Sequence, residues 1–455
     1  MINWLKNGIF ALAVAGAYSI FLVMLRTPGV NQLFTNPDIF RTALVIHVNL
    51  SVLVWLLAIS VSIWSISKNN FIQEFNSKIA LVGIILMAIS PVLSDSGPVM
   101  NNYIPMLENI LFVLGLCIFG ASILIYAIQT FFYSLLERPL TYGHRVVKVT
   151  RITTSLLVFG VWGCFYLSYL GLEQLKNVAV LEIDYYYEML FWSGGHLLQF
   201  IYTQIFMFVL ICLVESISDG EIECYNIYEM LLILNFVLAS TVFIGHANYD
   251  FSDGSFKEFF TKHMIYTAGI VPGIFIVVLT YEVWAKKMIS MNLSMLAYVF
   301  SVGLFVMGGF IGAAISGINV VIPAHYHGSI VGISIAMMGF VYLFIFKEQI
   351  IQNISSKSGV LVNLYNNLGE FFWHNFGNKR YAKTQLMMIA IGQFLHILGL
   401  ALAGGYGVMR KTPGEEIAFS AKIYMGITGL GGLIAIIGGL MFVHICAKNL
   451  YFKVK

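Results

Sequence analysis

The chain has 455 residues, of which 59% are hydrophobic and only 10% charged, and its mean hydropathy is +0.85. This composition excludes an ordinary soluble globular protein, whose surface needs many more charged side chains. The net charge of +3 gives no support to a nucleic-acid partner. We therefore expect the lipid bilayer to be the solvent of this protein.

Twelve apolar segments are long enough to cross a bilayer as helices. A crossing takes about 20 residues, because the hydrocarbon core is about 30 Å thick and leaves no water for unpaired amides. The segments cover residues 8–26, 38–66, 77–94, 105–135, 151–172, 185–218, 226–246, 262–285, 293–318, 321–347, 383–405 and 421–446. No soluble domain interrupts them. The prediction is one domain, residues 1–455, with an all-α fold: a polytopic membrane bundle of 12 transmembrane helices.

The distribution of positive charge predicts the orientation of the bundle. If the N-terminus is cytoplasmic, 17 of the 25 Lys and Arg residues lie on the cytoplasmic side and 8 outside, as the positive-inside rule requires. Both termini are therefore predicted to be cytoplasmic. The expected location is a membrane, crossed many times, with the bacterial cell inner membrane as its most natural setting.

Six histidines from five of the predicted spans fall in the outer half of the membrane. Imidazoles inside spanning helices are costly and usually functional, and chance placement would not collect them at one depth. In chain order they are His47 in the second span, His196 in the sixth, His246 in the seventh, His325 and His327 in the tenth, and His396 in the eleventh. We predict that this set binds a cofactor, with His396 contributing a hydrogen bond rather than a ligand.

The pair His325 and His327 gives the most specific signal. Residues two apart on a helix point about 200° apart around its axis, so one helix can serve two cofactors on opposite sides. Neutral imidazole is a standard axial ligand of heme iron. The pair is thus predicted to hold one heme on each side of the tenth span. His47 would supply the opposite axial ligand of one heme, and the other heme would keep an open position for a small molecule.

Four segments resemble subunit I of the heme-copper oxidase superfamily. "NVVIPAHYHGSIVGISIAMMGFVYLF" looks like its tenth helix, "RTALVIHVNLSVLVW" its second, "LFWSGGHLLQF" its sixth and "FLHILGLALAGGYGVMRKTPG" its eleventh. The resemblance extends over essentially all twelve helices in order. It implies that Arg410 and Lys411, which follow the eleventh helix, pair with heme propionates.

The resemblance also implies a function and a set of ligands. His47 and His327 would bind a low-spin heme, His325 a high-spin heme, and His196 with His246 a second metal, either copper or nonheme iron. The chain would be the catalytic subunit of a respiratory terminal oxidase that reduces dioxygen to water, with His325, His196 and His246 as its catalytic residues. Electrons would come from cytochrome c or a quinol, and other oxidase subunits would be partners.

The sequence departs from the family around the second metal. His246 aligns with the first member of a usual His-His pair, but Ala247 replaces the second. Phe200 stands four residues after His196, where the usual oxidases carry a tyrosine. The lysine expected in the eighth helix of many members is also missing.

Two ring nitrogens alone make a weak transition-metal site, so a third ligand is needed. Asn248, Asp250 and His263 are the nearby candidates, although Asp250 and His263 can equally be surface residues of an outer loop. A carboxylate ligand would favour iron over copper and would move the interpretation toward the nitric oxide reductases of the same superfamily.

Two other hypotheses stay open on the sequence. One is a noncatalytic diheme membrane protein that transfers electrons or senses a diatomic gas, which the departures at Ala247 and Phe200 motivate. The other is a secondary transporter with intramembrane histidines and no heme. Separately, residues 94–109 contain the Gly, Pro and Asn of a rigid outer turn, which is a candidate cap of a heme cavity.

Overall fold

The computed structural model describes residues 2–26, 38–65, 71–93, 97–139, 141–218, 222–288, 291–346, 359–361, 364, 378–409 and 419–450. In these ranges, 12 spans are long and apolar enough to cross a membrane. The predicted all-α membrane bundle of twelve helices is thereby confirmed, and the protein is a multi-pass membrane protein.

Several spans are built from two helices, so the described helices outnumber the spans. Their bounds are α1 (Ile2–Arg26), α2 (Ile39–Val48), α3 (Trp55–Trp64), α4 (Phe71–Leu93), α5 (Ile110–Leu136), α6 (Tyr142–Lys176), α7 (Ile183–Glu215), α8 (Tyr225–Ser240), α9 (Phe243–Asn248), α10 (Gly254–His263), α11 (Ile270–Ala285), α12 (Leu293–Ala313), α13 (Val321–Ile345), α14 (Lys379–Gly405) and α15 (Phe419–Leu450). The second span joins α2 to α3, the seventh joins α8 to α9, and the eighth joins α10 to α11.

The helix ends differ from the predicted ends where polar residues cap them. Helix α5 begins at residue 110 instead of 105, because the Asn109 side chain accepts a hydrogen bond from the Leu111 N–H. Helix α10 begins at residue 254 instead of 262, because Asp253 caps it in the same way through Ser255. Helix α6 runs from 142 to 176, well beyond the predicted 151–172, since hydropathy marks only its apolar middle.

Three spans form the centre of the bundle. The second, sixth and tenth spans bury 72%, 94% and 83% of their most apolar windows inside the protein, against 28–44% for the other nine. These three spans carry His47, His196 and the His325–His327 pair. All the predicted ligands except His246, which lies on the seventh span, are therefore on the helices that the other spans enclose.

Small residues let neighbouring helices approach one another closely. A Cβ at Gly308 of α12 would meet backbone atoms of Gly328 in α13, and a Cβ at Gly392 of α14 would meet the backbone of Ala435 in α15. Such packing is the usual source of helix association in a bilayer, where lipid is as apolar as leucine and burial gives little driving force.

Within the described ranges, two π-helical segments and one hairpin interrupt the regular helices. The π-helices, Asn49–Val54 and Met264–Ala268, each begin within two residues after a histidine, His47 and His263. The hairpin pairs Pro98–Val99 with Met106–Leu107 in an antiparallel ladder between α4 and α5. Insertions of this kind often mark functional regions, because they redirect side chains that a regular helix would point elsewhere.

Candidate functional site

The two imidazoles of α13 face different neighbours. The Nδ1 atom of His325 lies 2.7 Å from the Gly308 carbonyl oxygen of α12. The ring of His327 packs against that of His396 in α14, with the centroids 4.8 Å apart. Tyr326, between them, is 42% exposed. The two imidazoles thus contact different helices, and the prediction that each holds a heme on its own side of α13 stays a prediction.

Backbone carbonyls fix the tautomers of His47 and His325. The Nδ1 atom of His47 lies 2.9 Å from the carbonyl oxygen of Ala15 in α1. A carbonyl oxygen can only accept a hydrogen bond, so Nδ1 carries the proton in both rings and Nε2 keeps its lone pair. Histidines that bind metals almost always hold their second nitrogen in this way. Both imidazoles can therefore bind iron through the lone pair of Nε2.

His47 and His327 lie at a common depth on adjacent spans. The indole N–H of Trp55 donates to the Ser334 hydroxyl at 2.8 Å, in a buried contact between α3 and α13. His47 precedes Trp55 by eight residues and His327 precedes Ser334 by seven. Both histidines therefore lie about two turns before this contact, toward the predicted outer end. Their role as the two axial ligands of one heme stays a prediction.

A glycine makes room for the His325 ring. A Cβ at Gly312 of α12 would lie 2.5 Å from the His325 Nδ1 atom. Gly309, one turn earlier on the same helix, has open space around its would-be Cβ. The absence of a side chain at residue 312 lets the imidazole lie against α12 and reach the Gly308 carbonyl.

The described residues therefore fit heme. The donor set is neutral imidazole, two of the three predicted ligands have the tautomer that iron needs, and the pair on α13 contacts two different helices. Arg410 and Lys411 lie outside the described residues. Their predicted pairing with heme propionates stays a prediction.

His196 is held from two sides in the middle of α7. Its Nδ1–H donates to the Trp192 carbonyl oxygen at 2.7 Å, which leaves Nε2 as the acceptor. The Tyr103 hydroxyl lies 3.0 Å from that Nε2 and donates to it. Burial raises the pKa of Tyr103, and the negative charge of Glu188 raises it further. The hydroxyl therefore keeps its proton.

Tyr103 comes from the tip of the outer hairpin. The Asn101 side chain accepts hydrogen bonds from the Tyr103 and Ile104 N–H groups, which closes the turn. The backbone and side-chain N–H groups of Asn102 both donate to the Glu188 carboxylate, at 3.0 and 2.6 Å. The outer turn predicted from residues 94–109 is thus a hairpin anchored on α7, and it places a tyrosine against His196.

His246 lies among aromatic rings in α9. Its centroid is 5.2 Å from that of Phe256 and 5.6 Å from that of Phe260. Its Nε2 atom is buried and has no hydrogen-bond partner among the described residues. Phe260 also packs against His196, with the centroids 5.7 Å apart. A phenyl ring therefore contacts both histidines that were predicted to share a second metal.

The three candidates for a further ligand lie in different surroundings. Asn248 and Asp250 are exposed, and hydrogen bonds from Ser252 hold the pKa of Asp250 below its ordinary value. His263 is only 7% exposed, and its Nε2 donates toward the Thr241 hydroxyl and the Leu238 carbonyl. The alternative that both Asp250 and His263 are surface residues thus holds for Asp250 and is wrong for His263, because α10 begins earlier than predicted.

The described residues do not fit a second metal in this arrangement. Within the ranges that the structure describes, no three His, Cys, Asp or Glu side chains form a group that could hold a metal ion. The ring neighbours of His196, His246 and His263 are aromatic side chains instead. His196 and His246 as ligands of a second metal stay a prediction from the family resemblance.

Two residues of this region were missed by the sequence reasoning. Tyr103 was part of a predicted turn, and its contact with His196 spans 93 residues of chain. Phe260 was one of many aromatics. The Gly194–Gly195 pair before His196 was the available signal, since a Cβ at Gly195 would collide with the Tyr103 ring.

Comparison with known proteins places the whole chain in one family. Residues 2–434 match the family described as "Cytochrome C and Quinol oxidase polypeptide I". An uncharacterised protein of Rickettsia prowazekii (strain Madrid E) is 38% identical over 505 aligned residues, covering 99% of this chain and 95% of the relative. An uncharacterised protein of Aquifex aeolicus (strain VF5) is 26% identical over 353 residues, covering 75% of this chain and 83% of that protein.

The fold is also similar to that of a solved structure. A chain from "Cryo-EM structure of a heme-copper terminal oxidase dimer provides insights into its catalytic mechanism" superposes with a TM-score of 0.68 at 16% sequence identity, covering 100% of this chain and 84% of that one. At that identity the likeness concerns the fold. The match over residues 2–434 shows that this chain belongs to the cytochrome c and quinol oxidase polypeptide I family, and that it is similar to subunit I of the heme-copper oxidases.

Proposed function

We propose that the chain is the catalytic subunit of a heme-dependent membrane oxidoreductase that reduces dioxygen to water. In this proposal His47 and His327 hold a low-spin heme and His325 holds a high-spin heme. The observation that carries it is the pair of Nδ1–H donations from His47 and His325 to carbonyls of neighbouring helices, which leaves Nε2 free in both rings.

The protein itself would hold the bound groups in position and keep water away from them. The bound heme iron would supply the one-electron chemistry and the site for a diatomic ligand. His327 and His325 share one rigid helix, so any two groups bound to them are fixed relative to each other. Both side chains are half-buried on a central span, which limits the access of water to a group bound there.

Family membership supports the remaining parts of the proposal. The electron donor would be cytochrome c or a quinol, and further oxidase subunits would bind the bundle. The excess of Lys and Arg on one side supports cytoplasmic termini in the bacterial inner membrane. Nitric oxide reduction is the alternative reaction within the same superfamily.

One observation favours a second candidate function, a noncatalytic diheme protein for electron transfer or gas sensing. The Phe260 ring lies against both His196 and His246, and the Tyr103 hydroxyl donates a hydrogen bond to the Nε2 atom of His196. Heme binding without turnover of either dioxygen or nitric oxide would favour this candidate.

The test of heme binding uses the full chain purified in detergent. We expect a pyridine-hemochrome assay to give two hemes per chain. His47→Ala should remove the six-coordinate spectrum, and His325→Ala should remove the heme that binds carbon monoxide. His444→Ala is the matched control, since His444 is exposed at the predicted cytoplasmic end. A colourless protein would contradict the proposal and favour the transporter hypothesis.

The reaction is then tested on the heme-loaded protein with a chemical electron donor. Consumption of dioxygen that is lost in His325→Ala supports the oxidase. Consumption of nitric oxide alone supports the reductase.

A further inference from the structure

The space around His196 and His246 is filled by aromatic side chains from three parts of the chain. Tyr103 enters from the outer hairpin, Trp192 lies one turn before His196, and Phe260 belongs to α10. The Tyr103 and Trp192 centroids lie 4.8 and 4.9 Å from that of His196. Phe260 touches both imidazoles.

Glycines beside each histidine accommodate these rings. A Cβ at Gly195 would collide with the Tyr103 ring, and a Cβ at Gly245 would lie 2.8 Å from the Cζ atom of Phe260. Each glycine directly precedes the histidine, so the backbone next to both imidazoles is shaped to admit an aromatic ring. The rings thus occupy places that the backbone provides for them.

The polar atoms of this region are also committed or isolated. The Nε2 atom of His196 accepts a hydrogen bond from the Tyr103 hydroxyl. The hairpin that carries Tyr103 is held by two hydrogen bonds from Asn102 to the Glu188 carboxylate. Ala247 stands where the family resemblance would place the third imidazole of a metal site. His263, a further buried imidazole, directs its Nε2 to Thr241 and Leu238. Its Nδ1 has no hydrogen-bond partner among the described residues, and its ring packs against Phe200 and Phe259.

We propose that the aromatic cluster of Tyr103, Trp192 and Phe260 takes the place of the second metal of this family, so that the chain binds its hemes and no further metal. This inference rests on the proposed heme binding. Its physical basis is that a metal would have to displace the Phe260 ring from both imidazoles and break the hydrogen bond from Tyr103. Among the described residues, no third His, Cys, Asp or Glu side chain is grouped with these two imidazoles, and two ring nitrogens alone make a weak metal site.

The experiment is elemental analysis of the full-length chain, produced in medium supplemented with copper and iron and purified in detergent. Heme is measured separately by pyridine hemochrome. We expect iron equal to heme within error, copper well below one per chain, and the same values in His196→Ala and His246→Ala. One copper, or one iron in excess of heme, that is lost in either variant overturns the inference.

A second measurement does not depend on the folding of variants. The purified parent chain is titrated with Cu(I) against a chromophoric competitor. We expect no uptake of a stoichiometric equivalent, whereas uptake of one Cu(I) per chain contradicts the inference. Heme content distinguishes the failure of the two proposals. A chain without heme would contradict the proposed function. A chain with its hemes and one further metal would contradict only the inference that no second metal binds.

Discussion

Trp55 and Ser334 join the second and tenth spans by a buried hydrogen bond of 2.8 Å, from the indole N–H to the hydroxyl oxygen. The contact fixes the relative height of the two helices that carry His47 and His327. Each histidine lies about two turns before the contact residue of its own span. The contact therefore sets the heights of the two histidines relative to each other. The relative height of the two proposed heme ligands is thus linked to a residue pair that lies away from both of them.

Breaking this hydrogen bond should weaken both the fold and the six-coordinate heme. We expect Trp55→Phe and Ser334→Ala each to lower the free energy of unfolding in detergent by about 0.6 to 1.7 kcal/mol, the scale found for hydrogen bonds between membrane helices. A double-mutant cycle should return a coupling of that size. Trp284→Phe is the control, because Trp284 is 68% exposed. Additive effects in the cycle would contradict the role of the contact.

Adding one methyl group at Gly312 should disturb His325 directly. The new Cβ would lie 2.5 Å from Nδ1, so the ring must move and give up the Gly308 carbonyl. We expect Gly312→Ala to lose most of the heme that binds carbon monoxide, as measured by difference spectra. Gly309→Ala, on the same helix with open space around it, should keep full heme content. Equal spectra for the two variants would refute this account of the glycine.

The Tyr103 hydroxyl should contribute to stability through His196. Tyr103→Phe leaves the buried Nε2 of His196 without its donor, and an unpaired buried acceptor costs about 1 to 3 kcal/mol. We expect a lower thermal unfolding midpoint with heme content unchanged. Tyr249→Phe is the matched control, since Tyr249 is 40% exposed. A midpoint equal to that of the control would show that the bond contributes nothing.

A buried charge cluster at the predicted cytoplasmic end makes a separate prediction. The Arg151 side chain is 1% exposed, and its guanidinium lies 3.4 Å from the Glu137 carboxylate, which also contacts His144 at 2.6 Å. Glu137→Gln leaves a buried cation without its partner, which typically costs about 3 to 5 kcal/mol.

We therefore expect Glu137→Gln to unfold at a much lower temperature or to accumulate poorly in the membrane. The exposed pair Glu74 and Lys78 provides the contrast, since Glu74→Gln should cost at most about 1 kcal/mol. Thermal unfolding of the two variants in the same detergent measures the difference. Similar midpoints would mean that the cluster around Arg151 is solvated.

The amino-acid sequence by itself determined the architecture and the heme ligands that we propose. Apolar length predicts a spanning helix because lipid offers no hydrogen bonds to a bare backbone, and this rule applies segment by segment. The alternation of His325 and His327 is equally local, since the geometry of one helix turns residues two apart to opposite sides. The structure confirms the twelve spans, while the binding of one heme by each of these two histidines stays a prediction.

Only the tertiary structure decided what surrounds His196 and His246. Tyr103 approaches His196 across 93 residues of chain, and Phe260 reaches both histidines from a helix that begins eight residues earlier than hydropathy indicated. Contacts of this kind depend on how a hairpin and a neighbouring helix pack, and no periodicity along the chain encodes them. Hydropathy and spacing therefore fix where each imidazole lies along its helix, while packing between distant segments determines what its nitrogens can bind.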